Sequence, residues 1–194
     1  MPPPARPELE KGRVYRTRDL AAFGSNPTRL AKRLVEEGLL IQLAQGLFHA
    51  PETSRFGPLP PSNREVLRSF LGTDEFLITG PPIWAALGLG VKPKSAAVTL
   101  AYNAKRSGDF QLGDHYFHLR RVRFPAHPSR EWFVVDLVEH HAMASVTLDE
   151  LEPPILAALR SGRFDAERLL AEAAEYGTLG TRAYLERLIA EAAK

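Results

Sequence analysis

The tightest constraint on this chain lies between Asn26 and Gly38. Asn26 before Pro27 reads as a helix start. The Asn side chain accepts a first-turn N–H, and Pro at the first helical position gives up a donor that has no intrahelical partner. Gly38 supplies the stop. Between them Leu30, Ala31, Leu34 and Val35 share one face, while Arg29, Lys32, Arg33 and Glu36 share the opposite one. The preceding segment predicts a helix with Thr17 as N-cap, running through Leu20 and Phe23. Those two side chains, with Leu30 and Leu34, are expected to form a small core. A hairpin is expected next: Leu39, Ile41 and Leu43 alternate, Ala44-Gln45-Gly46 turns, and Leu47-Phe48-His49 returns before Pro51. Val14 to Ala50 therefore has the layout of a winged helix-turn-helix, and the basic face suits a recognition helix in a DNA major groove. A solvated helix in front of an ordinary hairpin carries the same pattern.

The chain of 194 residues is long enough for one large domain or a small one joined to a medium one, with 44% apolar and 25% charged residues. It has no cysteine, which excludes disulfides and thiolate zinc sites. The first residues, MPPPARPELEKG, have no apolar core, so no signal peptide is expected. No stretch reads as a membrane span, and a cytoplasmic location is the expectation. The net charge of +2 hides a polarity: residues 1–60 carry +3, residues 61–130 carry +5 and residues 131–194 carry −6. A basic front suggests a polyanionic partner; the acidic tail suits solvent, a basic partner or chance clustering.

Met1 to Pro7 is Pro-rich and expected to be extended or disordered, with a first helical turn at Glu8 to Lys11. Pro51 to Pro61 reads as a linker. Ser62 and Glu65 form a capping-box pattern opening a helix through Val66, Leu67, Phe70 and Leu71, stopped by Gly72. A strand at Phe76 to Ile78 and a short helix from Ile83 to Leu87 follow. The intervening Thr79-Gly80 is only a weak phosphate-loop signal, and Trp84 is expected in the core. Strands are expected over Ala97 to Tyr102, Phe110 to Leu112 and Tyr116 to Phe124. Lys105, Arg106, Arg120, Arg121 and Arg123 form a second basic cluster, suited to phosphates, to an acidic partner or to edge-strand protection. Trp132 to Leu137 reads as a strand and Glu139 to Ala144 as helical. Three helices close the chain: Ile155 to Leu159 opened by Pro153-Pro154, Ala166 to Glu175 capped by Asp165, and Arg182 to Ala193 capped by Thr181. The apolar stripe of the last suits packing on the domain or docking a partner helix, and packing is the expectation. The fold class is α+β: a winged helix-turn-helix over residues 1–58, then a mixed domain over 59–194 with an antiparallel sheet and C-terminal helices from about residue 137.

No motif for catalysis is present. His115 and His118, three apart on a strand, diverge, as do the adjacent His140 and His141 on a helix. Asp136 and Glu139 neighbour the latter pair, and Asp109, Asp114 and Glu131 lack the spacing of a metal-dependent nuclease. No enzymatic activity, metal or cofactor is expected.

YRTRDLAAFGSNPTRLAKRLVEEGLLIQLAQGLFHAP, with FLITGPPIWAALGLG after it, resembles the AbiEi family of antitoxins from bacterial type IV toxin–antitoxin systems. The two segments cover about half the chain, and their joint order carries the resemblance. It implies a transcriptional repressor that binds double-stranded DNA at its own operator, and an antitoxin counteracting an AbiEii-type nucleotidyltransferase toxin. By position it implies backbone contacts from Arg16, Thr17 and Arg18. It implies groove contacts from Asn26, Thr28, Arg29, Lys32 and Arg33, and a wing carrying Gln42 and Gln45. Arg29 and Arg33 are the expected base readers, since Arg pairs bidentately with guanine, and Lys32 the expected phosphate contact.

Overall fold

The computed structural model describes residues 7–92 and 98–194. The Pro-rich start up to Arg6, and the first residue of the strand expected from Ala97, lie outside that range. The fold is mixed α+β, with antiparallel strands and C-terminal helices. Two compact units form: Met1–Phe76 with Asp109–Phe117, and Leu77–Gly108 with His118–Lys194. The boundary read at 58/59 falls within the first unit.

In the first unit β1 (Val14–Arg16) leads into a 3₁₀ turn, Thr17–Phe23, and then α1 (Pro27–Glu36). The first helix of the sequence reading is thus a 3₁₀ segment with Arg16, not Thr17, at its cap position, where the Arg16 N–H donates to the Asp19 carboxylate at 2.8 Å. The ends of α1 are where the sequence placed them. Asn26 Oδ1 accepts the Arg29 N–H at 3.0 Å. At the other end Gly38 (φ +72°) donates to Val35 O at 3.0 Å and Leu39 to Leu34 O at 2.8 Å, a Schellman stop that only a left-handed residue permits. β2 (Ile41–Ala44) and β3 (Leu47–His49) follow, and the sheet order is β1-β3-β2, antiparallel throughout. The expected alternation does not hold: Leu40 is buried, whereas Ile41 is 41% exposed, and a bulge follows between Gln42 and Ala44. Leu20, Leu30, Ala31, Leu34, Leu40 and Phe48 build the core with Tyr15. Fully burying each large aliphatic side chain contributes about 1.5–3 kcal/mol. Phe23 stays outside that core at 38% exposure, its ring edge-on to Tyr15.

Glu8 to Lys11 forms no helical turn; its backbone is irregular, and the Glu10 N–H donates to Tyr15 Oη at 2.8 Å. The expected linker is a hairpin, β4 (Glu52–Ser54) with β5 (Gly57–Leu59). α2 (Asn63–Leu71) starts at Ser62, whose Oγ accepts the Glu65 N–H at 3.2 Å, and ends at left-handed Gly72. Glu65 does not close the capping box. Its carboxylate accepts the Val14 N–H at 3.0 Å and pairs with Arg68 at 2.6 Å, tying α2 to β1.

β6 (Phe76–Thr79) precedes the short α3 (Pro81–Ala85). β7 (Val98–Asn103), β8 (Gly108–Leu112) and β9 (His115–Arg120) complete a sheet of order β6-β7-β9-β8. β9 stops at Arg120, short of the Phe124 expected. Trp132 to Leu137 is not a strand but the middle of α4 (Arg130–Glu139), capped by Ser129 Oγ on the Trp132 N–H at 3.0 Å. WFVV has strand propensity, but Trp132, Val134, Val135, Leu137 and Val138 are all buried, and a helix apolar on every side fits only such a site.

α5 (Leu148–Arg160) starts two turns earlier than the Pro pair suggested, at a capping box of Thr147 and Glu150. Pro153 and Pro154 lie within it. The carbonyls they leave unbonded, those of Asp149 and Glu150, belong to exposed first-turn residues and can be hydrated. α6 (Ala166–Tyr176) is capped by Asp165 as expected, and α7 (Leu179–Ala192) by Thr178, with Thr181 buried inside the first turn. The stripe of α7 packs into this unit's core, where Leu185 and Leu188 are fully buried. No helix among the described residues is long and apolar enough to cross a membrane.

Candidate nucleic-acid interface

The 3₁₀ turn and α1 bound an open groove of about 640 Å³ lined by Phe23, Ser25, Asn26, Arg29, Lys32 and Arg33. Thr28 and Arg29 are exposed at the start of α1, and Arg29 has no ion-pair partner among the described residues. Lys32 lies 3.9 Å from Glu36, an exposed pair of little energetic weight, so its ammonium can be recruited by a phosphate. Arg33 is more committed: it is half-buried, 3.7 Å from Glu37, and its Nε has no hydrogen-bond acceptor among the described residues. Asn26 faces the groove, but its oxygen is used by the cap.

Around the groove, Arg18 is exposed beside Asp19 at 3.7 Å. The Thr17 N–H donates to Gly46 O at 3.0 Å, holding the hairpin turn against the 3₁₀ segment. Gln42 and Gln45 are exposed, and Gln42 reaches the Ala44 carbonyl at 3.4 Å. Arg16 departs from the sequence reading. Its guanidinium turns inward and donates to the carbonyls of Ser69 and Phe70, the latter at 2.6 Å. Cationic groups favour helix C-termini, where carbonyls are unpaired. Arg16 is therefore a clasp between β1 and α2, not a surface contact.

The second basic cluster divides. Lys105 and Arg106 are exposed on a loop held by buried Asn103, whose Oδ1 accepts their backbone N–H groups at 2.8 and 2.7 Å. Arg121 is exposed, and Arg123 pairs with Glu175 at 3.3 Å. Arg120 leaves the cluster and donates to Nε2 of His140.

His140 belongs to a polar cluster that the sequence hid. Asp136, read as a strand residue, lies one helical turn before His140 on α4, and is 4% exposed. Its Oδ2 accepts from the Thr79 hydroxyl and from Trp84 Nε1–H at 2.9 Å; its Oδ1 accepts from Tyr102 Oη at 2.6 Å. Thr79 is thereby consumed, so Thr79-Gly80 is no phosphate loop; α3 behind it has only five residues. Burial, then the Asp136 charge, push the Tyr102 phenol far up. For His140 burial lowers the pKa, but the hydrogen bonds to Asp136 outweigh it and the net direction is up. Arg120 donating to Nε2 requires that nitrogen to be an acceptor, so the proton sits on Nδ1, facing the Asp136 carbonyl at 2.9 Å and carboxylate at 3.3 Å. One signal was available: a carboxylate inside the apolar run WFVVDLV is a buried charge awaiting donors.

The remaining candidates for chemistry are spread out. His115 Nδ1 meets Asn63 Oδ1 at 2.6 Å, and His141 Nδ1 meets Val146 O at 2.9 Å. His118 is half-buried and Asp114 exposed. Glu131 accepts the Asp165 N–H at 3.0 Å, and Glu139 accepts the Thr178 N–H. Among the described residues no three of His, Asp and Glu are grouped to hold a metal.

No protein-family model matches this chain, and no curated protein matches it. Its backbone is similar to the crystal structure of the RV2827C protein from Mycobacterium tuberculosis. The match has a TM-score of 0.57, covers 94% of this chain and 73% of that one, and has 18% identity. At that identity the likeness is one of fold.

Proposed function

We propose that this chain is a DNA-binding transcriptional repressor whose Val14–Ala50 segment is a winged helix-turn-helix. On this reading it represses its own operon and is the antitoxin of a type IV system, counteracting an AbiEii-like nucleotidyltransferase toxin from a cytoplasmic location. The observation that carries it is the exposed face of α1, where unpaired Arg29 stands beside weakly paired Lys32 on a helix packed from behind by Leu30 and Leu34. Arg29 takes the base-reading role, Lys32 and Arg18 contact phosphates, Thr28 lies at the helix start, and Gln42 and Gln45 form the wing. Arg33 supports through Glu37, and Arg16 drops out.

The test is binding to DNA upstream of the chain's own gene across a salt series. Arg29→Ala should cost about 1–3 kcal/mol on the operator and little on random DNA. Lys32→Ala should weaken both alike and reduce the salt slope by about 0.9. Wild-type binding no tighter than to random DNA would refute the repressor. Co-expression with a neighbouring nucleotidyltransferase, scored by growth, tests the antitoxin. A protein-interaction module with no toxin partner is the second reading. Phe56 favours it, standing 86% exposed at the β4–β5 tip with the Arg55 guanidinium 4.6 Å from its ring centre.

A further inference from the structure

The second unit contains a cavity of about 230 Å³ whose wall includes Tyr102, Arg120, Arg123, Trp132, His140 and Tyr176. Its two carboxylates and its imidazole each already have a donor. Asp136 takes Thr79, Trp84 and Tyr102, Glu139 takes the Thr178 N–H, and His140 Nε2 takes Arg120. Its donors are in surplus. Trp132 is 3% exposed, yet its indole N–H has no acceptor among the described residues. Arg120 gives His140 one of its five N–H groups, and Arg123 is 3.3 Å from Glu175 with most of its side chain exposed. The indole nitrogen itself is fully buried, so the two guanidinium groups are the donors that an occupant reaches.

The rest of the wall is aromatic. Trp132 meets Tyr102 edge-on at 6.2 Å and Tyr176 edge-on at 6.3 Å, and Val122 and Val135 complete the lining. An apolar cavity of about 150 Å³ accepts benzene, so this one has room for a single ring with a small substituent. The Arg fork matches a carboxylate's two oxygens. From this donor surplus, the aromatic wall and the size, we infer that the cavity is a binding site for a small aromatic carboxylate. Arg120 and Arg123 receive its carboxylate, and the rings of Tyr102, Trp132 and Tyr176 hold its body. This site lies in a different unit from α1 and does not rest on the DNA-binding reading.

Benzoate is the probe and benzamide its uncharged isostere, each titrated into the full chain by calorimetry at pH 7.5. Benzoate should bind saturably, with a Kd of about 1 mM or tighter, and benzamide at least about tenfold more weakly. Arg120→Gln keeps a donor for His140 but loses the charge, and should weaken benzoate about tenfold or more. If Arg120→Gln fails to fold by circular dichroism, Arg123→Gln carries the same comparison. Three results overturn the inference: no saturable benzoate binding by folded wild type, equal affinity for benzamide, or unchanged affinity in every folded variant. Phenyl phosphate binding more than about tenfold tighter than benzoate would reassign the anion and overturn the carboxylate.

Discussion

Removing the acceptor at Asp136 should cost the second unit much of its stability. Asp136→Ala strips the acceptor from Thr79, Trp84 and Tyr102, which are 2%, 0% and 2% exposed, so water has little access to replace it. Each orphaned buried donor costs about 1–3 kcal/mol. Members of one network are not additive, and a water entering the vacated space recovers part of the loss, so the expected total is about 3–5 kcal/mol. Asp136→Asn separates hydrogen bonding from packing. Its amide oxygen can serve Thr79 and Trp84, which share Oδ2, while its NH₂ faces a Tyr102 oxygen able to accept; the expected cost is about 1–2 kcal/mol. The chain has two tryptophans, Trp84 and Trp132, and both lie in this unit, so urea unfolding followed by tryptophan fluorescence reads it selectively. The midpoint should fall with the slope unchanged. An alanine variant costing less than about 1 kcal/mol, or an asparagine variant costing as much as alanine, would refute the reasoning.

Two further outcomes follow from local geometry. Gly38→Ala should destabilise the first unit by about 1 kcal/mol: a Cβ there meets nothing within 4 Å, so the cost is the left-handed backbone alone, and an unchanged urea midpoint would count against the Schellman stop. The histidines should titrate in opposite directions. Burial lowers the pKa of His49 and of His115 below 6.5, and the charge of His115 lowers His49 further, so the unfolded chain protonates first and the first unit loses stability as pH falls through that value. His140 is raised, so its contribution is full below 6.5 and is lost as pH rises through its folded pKa. Imidazole proton shifts followed from about pH 5 to 8, assigned by single His→Gln variants, check the order; His140 titrating below His49 would overturn it.

The sequence by itself determined the elements whose ends are written in neighbouring residues. Asn26-Pro27 and Gly38 bound α1, Ser62 and Gly72 bound α2, and Asp165 opens α6, because caps act over three or four residues and need no distant partner. The basic face of α1 was legible for the same reason, since helical period alone sorts Arg29 and Lys32 from Leu30 and Leu34. What depended on burial was not legible. WFVV became helix because tertiary packing buries Trp132, Val134 and Val135, and a run with no polar face gives periodicity nothing to register. Pro153 and Pro154 carry the local signal of a helix start, but Thr147 and Glu150 open that helix earlier. Arg16 and Arg120 counted as surface charge until the fold supplied the α2 carbonyls to one and His140 to the other. Asp136 draws its donors from Thr79, Trp84 and Tyr102, residues 34 to 57 positions away, and only chain folding brings such groups within hydrogen-bonding distance. Local chemistry set where the helices begin and end; long-range packing decided which charges face water and which hold the interior together.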